Sequence, residues 1–388
     1  MKSRSLVLLV CLPVLLFPLA CTKKEAVPPQ AEAPPAATST ASAMPPDCSG
    51  GSGCAGSTCP SSITASAATL PTDACPNFGE VQGGADVFSW NSFLALNWPA
   101  ASNCTADTTK SILNVTSSSG GPVVWQTLMS SDDVFVPPGQ TPAPWCADAA
   151  VSALFAGKPR DMKNTAKADA AAHALGPNFA AIADPTGVEA VGGVVTDQSG
   201  RWLRFERYMN KIEYDAIVDP KNNWWQLSVL NKLSSITLPT GSLELKAAWK
   251  VLTPQEIASN RYYTTVATVY NTPAGAPSPG TNPVTLGLVG LHIIQKTPSQ
   301  SGFFWSTFEQ VDNDATFLNP SGPTNYNQQT AQKPFVELQP NGQPNNAPVQ
   351  IKRVNQPPVD AALNAYYQKL LGNSVFHYYR LISTQWQT

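Results

Sequence analysis

Apolar and polar residues alternate along several segments in the second half of the chain. In SLELKAAWKVL, residues 242–252, apolar positions alternate with Glu and Lys, and RWLRFERYM, residues 201–209, shows the same period of two. Side chains on a β-strand point alternately to opposite faces, so this period predicts strands with one apolar face. Residues 262–270, 287–313 and 374–382 predict further strands.

Other segments follow a helical spacing. Residues 86–97 predict a buried helix with Asp86 as its N-cap and Pro99 just beyond its end. An alanine-rich stretch predicts a helix over 161–175, and shorter helical pieces are expected over 210–219 and 222–233. Residues 360–372 predict a helix capped by Asp360 and ended by Gly372.

Strands outnumber helices in the second half, and they do not alternate regularly with them. The expected fold class is therefore α+β, mainly β, with an antiparallel sheet as its core, several short helices and long loops. The loops are expected at 271–283 and 319–358, which are rich in Pro, Asn and Gln.

The amino-terminal segment resembles a bacterial lipoprotein signal. Lys2 and Arg4 precede an apolar run, and the small residues of PLAC lead to Cys21. We expect residues 1–20 to be a signal peptide and Cys21 to carry a lipid that binds the membrane. Thr22 favours an outer-membrane lipoprotein that faces the periplasm or the exterior. The alternative is an ordinary secreted protein cleaved nearby.

Residues 21–74 are dominated by Ala, Pro, Ser, Thr and Gly. Such a segment buries too little apolar surface to offset the entropy of ordering it, so we expect a disordered tether. Residues 75–388 are expected to form a single globular domain.

Six cysteines remain after the signal and the lipid site are set aside, and an even number in an oxidising compartment is typical of disulfides. The candidates, which allow 15 pairings, are Cys48, Cys54, Cys59, Cys75, Cys104 and Cys146. The alternative, a zinc site, is disfavoured because the spacings form no paired CxxC motifs. No metal site is expected.

The net charge is −2 and only 13% of the residues are charged. No basic surface is therefore available to hold nucleic acid, and nucleic-acid binding is excluded.

Residues 287–313, GLVGLHIIQKTPSQSGFFWSTFEQVDN, predict a hairpin that carries candidate functional residues. A turn centred on Ser299 and Gln300 places His292 opposite Thr307 and Gly290 opposite Glu309. That face, with Trp305, predicts a ligand-binding site, and His292 and Glu309 are the candidate catalytic residues because a histidine near a carboxylate can act as a general base. The alternative is that His292 is a hydrogen-bonded sheet residue.

Two further polar sets lie on predicted strands. They comprise Arg204, Glu206 and Arg207, and Glu244, Lys246 and Lys250. We interpret both as ordinary surface ion pairs between strands.

Four blocks together resemble exported bacterial proteins of the cytochrome c family, whose function is poorly defined. The blocks are FSWNSFLALNWPA, SLELKAAWKVL, the hairpin segment and YYRLISTQW. The family carries a CxxCH haem-attachment motif in a carboxyl-terminal tail, and this chain contains no CxxCH. The resemblance therefore implies haem c only on a longer tail, and no cofactor in this chain.

Two functions are compatible with these observations. The resemblance implies a lipid-anchored protein associated with redox chemistry or electron transfer, with a possible redox partner protein. The alternative is a haem-free periplasmic protein that binds a small molecule or glycan, or a hydrolase. The sequence does not decide whether the chain is an enzyme.

Overall fold

The computed structural model describes part of the chain. The described residues are 58–74, 82–117, 121–162, 197, 203–269, 283–300, 302–313, 337–338, 344–345, 359 and 361–386. The predicted signal peptide, Cys21 and the loops 271–283 and 319–358 lie wholly or largely outside them. Within the described residues, no helix has the length and apolar character needed to cross a membrane.

Ten strands and seven helices lie in the described part of the chain. The strands are β1 (Met129–Ser130), β2 (Arg160–Met162), β3 (Arg204–Met209), β4 (Leu243–Val251), β5 (Thr264–Val269), β6 (Val284–Lys296), β7 (Phe303–Gln310), β8 (Glu337–Leu338), β9 (Pro344–Asn345) and β10 (Tyr379–Gln385). The helices are α1 (Gln82–Leu96), α2 (Ser131–Val134), α3 (Asp148–Phe155), α4 (Lys211–Val218), α5 (Leu227–Leu230), α6 (Pro254–Ser259) and α7 (Ala361–Leu371).

An eight-stranded sheet organises the fold, in the order β1-β3-β4-β6-β5-β2, with β7 beside β6 and β10 beside β7. All its pairings are antiparallel except that of β2 with β5. The expected α+β class with an antiparallel sheet core is thus confirmed. Strands β8 and β9 form a separate two-stranded sheet.

Strand β6 forms a fork in this sheet. Its first residues pair with β5 as far as Gly287, and its last residues pair with β7 from Gly290 onward. Strand β4 pairs along nearly the whole of its other edge. Between the two partners, side chains supply hydrogen bonds: the Tyr379 hydroxyl donates to the carbonyl of Leu288, and the Asn313 amide donates to that of Val289.

Helices α1 and α7 pack on one face of the sheet and create the main core. Trp90 of α1 stacks on Tyr367 of α7, with ring centroids 4.9 Å apart, and meets Phe308 of β7 edge-on at 5.1 Å. Large aromatic side chains bury much apolar surface, so this junction contributes strongly to holding both helices on the sheet.

Four details differ from the predicted elements. Helix α1 begins at Gln82, so Asp86 lies inside it and accepts a hydrogen bond from the Gln82 side chain instead of capping the helix. Residues 160–162 form β2 rather than the start of a helix, and 163–175 lie outside the described residues. Only Leu227–Leu230 is helical within 222–233. In 374–382 a 3-10 turn, Val375–Tyr378, precedes β10.

The last part of the predicted tether contacts the folded body. The Tyr366 hydroxyl donates to the carbonyl of Pro60, and the Ser299 hydroxyl donates to Asp73. Cys59 and Ala74 are buried. Residues 58–74 therefore belong to the folded body by their contacts.

Candidate functional site

The hairpin of β6 and β7 has the predicted register. His292 pairs with Thr307, Gly290 with Glu309, and Lys296 with Phe303. The polar residues of this face are half-buried, and the opposite face, with Leu291 and Phe308, enters the core under α1. The period of two and the short turn were sufficient to predict this geometry.

His292 is held by its own hairpin. Its Nδ1 lies 3.0 Å from the Thr307 hydroxyl and accepts a hydrogen bond of 3.3 Å from the indole of Trp305. Because the indole can only donate, Nδ1 acts as an acceptor, and in the neutral ring the proton lies on Nε2. The structure thus brings His292, Trp305 and Thr307 together, and binding or catalysis at this face with Glu309 remains a prediction.

A different cluster lies at the edge of the sheet beside β3. Arg160 of β2 contacts both the Glu206 carboxylate and the Tyr208 hydroxyl of β3 through Nη2. Strand β2 stands at one end of the strand order and β3 near the other. The sheet therefore curls enough for side chains from its two ends to meet.

The Glu206 carboxylate accepts further hydrogen bonds. The Tyr208 hydroxyl donates to Oε1 at 3.0 Å, and the Trp249 indole on β4 donates to Oε2 at 2.8 Å. Burial raises the pKa of the Glu206 carboxyl to about 8, although the Trp249 hydrogen bond acts in the opposite direction and favours the charged form. Burial also lowers the pKa of Arg160, to about 10.

Arg160, Glu206 and Tyr208 line a cavity of about 330 Å³. Its wall is built by the 3-10 turn Val124–Thr127, strand β1, helices α2 and α3 and strand β3. The apolar part of the wall includes Ala147, just before α3, and Ala150, Val151 and Leu154 of α3. The polar part includes Gln126, Asp132 and Asp133.

Gln126 is fixed within this wall. Its Oε1 accepts hydrogen bonds from the Tyr263 hydroxyl and from the backbone N–H of Val123. Burial raises the pKa of Tyr263, so the phenol stays neutral and keeps donating. The Gln126 amide is thereby oriented by the core.

The Cys104–Cys146 disulfide fixes the chain that leads into the cavity wall. Cys146 lines the cavity directly before α3. Of the other predicted disulfide cysteines, Cys59 is also disulfide-bonded, while Cys48, Cys54 and Cys75 lie outside the described residues.

The β3 charges were predicted to form surface ion pairs between strands. Glu206 does form an ion pair with another strand, but the pair is half-buried, and the surface position was wrong for Arg204. Arg204 is only 2% exposed, and Glu206 faces the aromatic side of the sheet, where it meets Arg160 from another strand. The alternation of residues along β3 could have indicated that Glu206 lies on the core face of the sheet. Glu206 and Tyr208 share a face, and the paired strand presents Ala247 and Trp249 to it, so a carboxylate among core aromatics was implied.

The charges near the end of the hairpin segment also have a structural role. Arg261 donates two hydrogen bonds to Asp312, to Oδ1 and Oδ2, and its guanidinium lies 4.5 Å from the ring centre of Tyr378. The Gln310 and Tyr262 side chains donate to the same carboxylate. Among the described residues, no group of three or more His, Cys, Asp or Glu could hold a metal ion.

Comparison with protein-family models, with curated proteins and with solved structures found no match to this chain. The residues of the chain itself therefore have to indicate the function.

Proposed function

We propose that this chain is an exported, lipid-anchored protein that binds a small polar molecule in the cavity beside β3. The observation that carries the proposal is the Arg160–Glu206 pair in the cavity wall. Withdrawing charged groups from water is costly for stability, and such groups with shifted pKa values concentrate at functional sites.

The size and lining of the cavity support this proposal. About 330 Å³ lies within the range of small-molecule sites, which combine an apolar wall with a few oriented polar groups. Helix α3 supplies the apolar wall, and Gln126, Arg160 and Glu206 supply polar groups held by neighbouring side chains. A carboxyl with a pKa of about 8 also exchanges its proton readily near neutral pH, as a hydrolase would require.

A ligand screen with a matched pair of variants tests the proposal. Ala150 and Ala149 are both exposed on α3, but only Ala150 lines the cavity. A library of small polar compounds is screened by ligand-observed NMR against the full chain and against Ala150→Trp and Ala149→Trp. We expect binders that Ala150→Trp abolishes and Ala149→Trp retains. A library without binders, or binders that are indifferent to Ala150→Trp, would contradict the proposal.

The membrane location of the protein is tested separately. The lipoprotein-type signal supports a lipid on Cys21 and a place in the outer membrane. Metabolic lipid labelling should be lost in Cys21→Ser, and membrane retention of that variant would contradict the anchor.

The redox function remains the alternative and rests on the resemblance to the cytochrome c family. Its test is the absorbance of haem in protein purified from its native host, together with a search for CxxCH in the reading frame downstream of residue 388. Absence of both would eliminate the haem version.

A further inference from the structure

The cavity beside β3 is lined by charges of both signs. Among the described residues of its wall, the carboxylates are Asp132, Asp133 and Glu206, and the cations are Lys158, Arg160 and Arg207. An excess of one sign would favour a ligand of the opposite sign, and this wall has no such excess. A ligand that carries both charges, or none, matches it best.

Arg160 supplies the deeper cationic group. Its Nη2 contacts Glu206 and Tyr208, whereas its Nη1 is buried and has no hydrogen-bond partner within the described part of the chain. A buried donor without an acceptor lowers the stability of the fold. The planar guanidinium group suits the two oxygens of a carboxylate, so a ligand carboxylate matches the part of this side chain that lines the cavity.

Asp133 supplies the opposite charge at the exposed side of the cavity. It lies in α2, and its charge interacts with that of Arg160, so the two groups border the same space. Opposite charges at two points of one small cavity complement an ammonium and a carboxylate on one molecule. The apolar residues of α3 that line the cavity, which include Ala150 and Leu154, then face the rest of the ligand.

From this arrangement we propose that the ligand is a small zwitterion of the α-amino acid type. Its carboxylate lies against the Arg160 guanidinium, its ammonium group lies toward Asp133, and its apolar side chain packs along α3. This inference rests on the proposed function, because it names the ligand class of the same cavity.

Three compounds that differ by one charged group test it: L-phenylalanine, 3-phenylpropionate, which lacks the ammonium, and 2-phenylethylamine, which lacks the carboxylate. D-glucose represents a neutral polar ligand. In calorimetric titrations of the full chain, we expect L-phenylalanine to bind at least about tenfold more tightly than either truncated compound, which corresponds to the loss of one charged contact.

Two variants assign the charged groups. Arg160→Lys should weaken L-phenylalanine and 3-phenylpropionate but leave 2-phenylethylamine unchanged, and Asp133→Asn should weaken L-phenylalanine and the amine but leave the acid unchanged. The control is Asp148→Asn, an exposed carboxylate of α3 that does not line the cavity. Circular dichroism confirms that each variant is folded, and Asp133, being exposed, keeps the test valid if Arg160→Lys unfolds.

The outcomes separate the two proposals. If no phenyl compound binds, or if all three bind equally, while a library compound or D-glucose binds and is excluded by Ala150→Trp, the amino acid inference fails and the binding function stands. If every compound, including the library, fails to bind at the cavity, both fail.

Discussion

The indole of Trp249 donates a hydrogen bond of 2.8 Å to Glu206 Oε2, across the antiparallel pair β3 and β4. Trp249 is completely buried, so this bond anchors the carboxylate from the core side while Arg160 contacts it from β2. An acceptor fixed from two directions retains its position whether or not the cavity is occupied. The cavity wall is thus preorganised by the core.

Replacing Trp249 should shift the titration of Glu206. The Trp249 hydrogen bond lowers the pKa of a carboxyl that burial raises to about 8, so Trp249→Phe should move it higher. Stability should fall by about 1–3 kcal/mol, since a buried acceptor loses its donor. Carbon-13 NMR of the Glu side chains, assigned with Glu206→Gln, measures the shift.

Trp98→Phe is the matched control for this substitution. The Trp98 indole donates at 3.0 Å to the carbonyl of Asp107. This variant should also lose stability, but the Glu206 titration should stay where it is. A shift of equal size in both variants would show that the Trp249 hydrogen bond is not the cause.

Glu213 should make the protein less stable at high pH. Burial raises the pKa of its carboxyl well above the usual range, and the neighbouring Glu244 adds to this effect. The folded state therefore keeps a proton that the unfolded state releases above its ordinary pKa of 4.5. The stability gained from this proton is fully present below pH 4.5. It is lost progressively as the pH rises from there toward the folded-state pKa, by on the order of 1 kcal/mol per pH unit.

Glu213→Gln removes this titration. Urea denaturation of both proteins from pH 4 to pH 9 should give similar stabilities at pH 4, where the wild-type carboxyl is protonated in both states. The variant should become the more stable protein toward pH 9. Parallel pH profiles would contradict the assignment.

Asp312→Asn should cost roughly 1–3 kcal/mol, because it removes a buried carboxylate that accepts two hydrogen bonds from the half-buried Arg261 guanidinium. Asp215→Asn, which breaks the exposed Lys211–Asp215 pair of α4, should cost under about 1 kcal/mol. Chemical denaturation compares the two. Similar small losses would mean that Asp312 does not stabilise the end of the hairpin.

Removal of the Cys104–Cys146 disulfide should cost about 4 kcal/mol in the loop-entropy account, since it closes a loop with a sequence separation of 42 residues. The double variant Cys104→Ala and Cys146→Ala tests this by denaturation. Both cysteines also have left-handed backbone conformations, with φ of 62° and 51°, which are strained for residues other than glycine. Relief of that strain would make the loss smaller, and unchanged stability would show that the bond adds nothing.

The hairpin could be predicted from sequence because its determinants are local. The turn around Ser299 fixes the register, and the alternation then assigns His292 and Thr307 to one face. The cavity depends on the pairing of β2 with β5 and on the curl that brings Arg160 to Glu206. These residues are 46 positions apart in the chain, and no local pattern encodes their meeting.

Strand β2 was not predictable from the local sequence. Residues 161 and 162 begin the segment predicted as a helix, yet Arg160–Met162 pairs as a strand along β5, and residues 163–175 lie outside the described part of the chain. Tertiary pairing overrides local propensity in such short segments. The sheet, helix α1 and helix α7 were predictable because each has a long, regular pattern.

The fork in β6 affects how the protein unfolds. One end of this strand supports β5, which carries Arg160 through β2, and the other end supports the His292 hairpin. The β5 side and the β7 side of the sheet both pair with β6, so unfolding of β6 removes the pairing of both. We therefore expect the two sides to unfold together. Amide protons at Leu286 and Ile293 should then give the same free energy of opening in hydrogen exchange, because one cooperative opening exposes both.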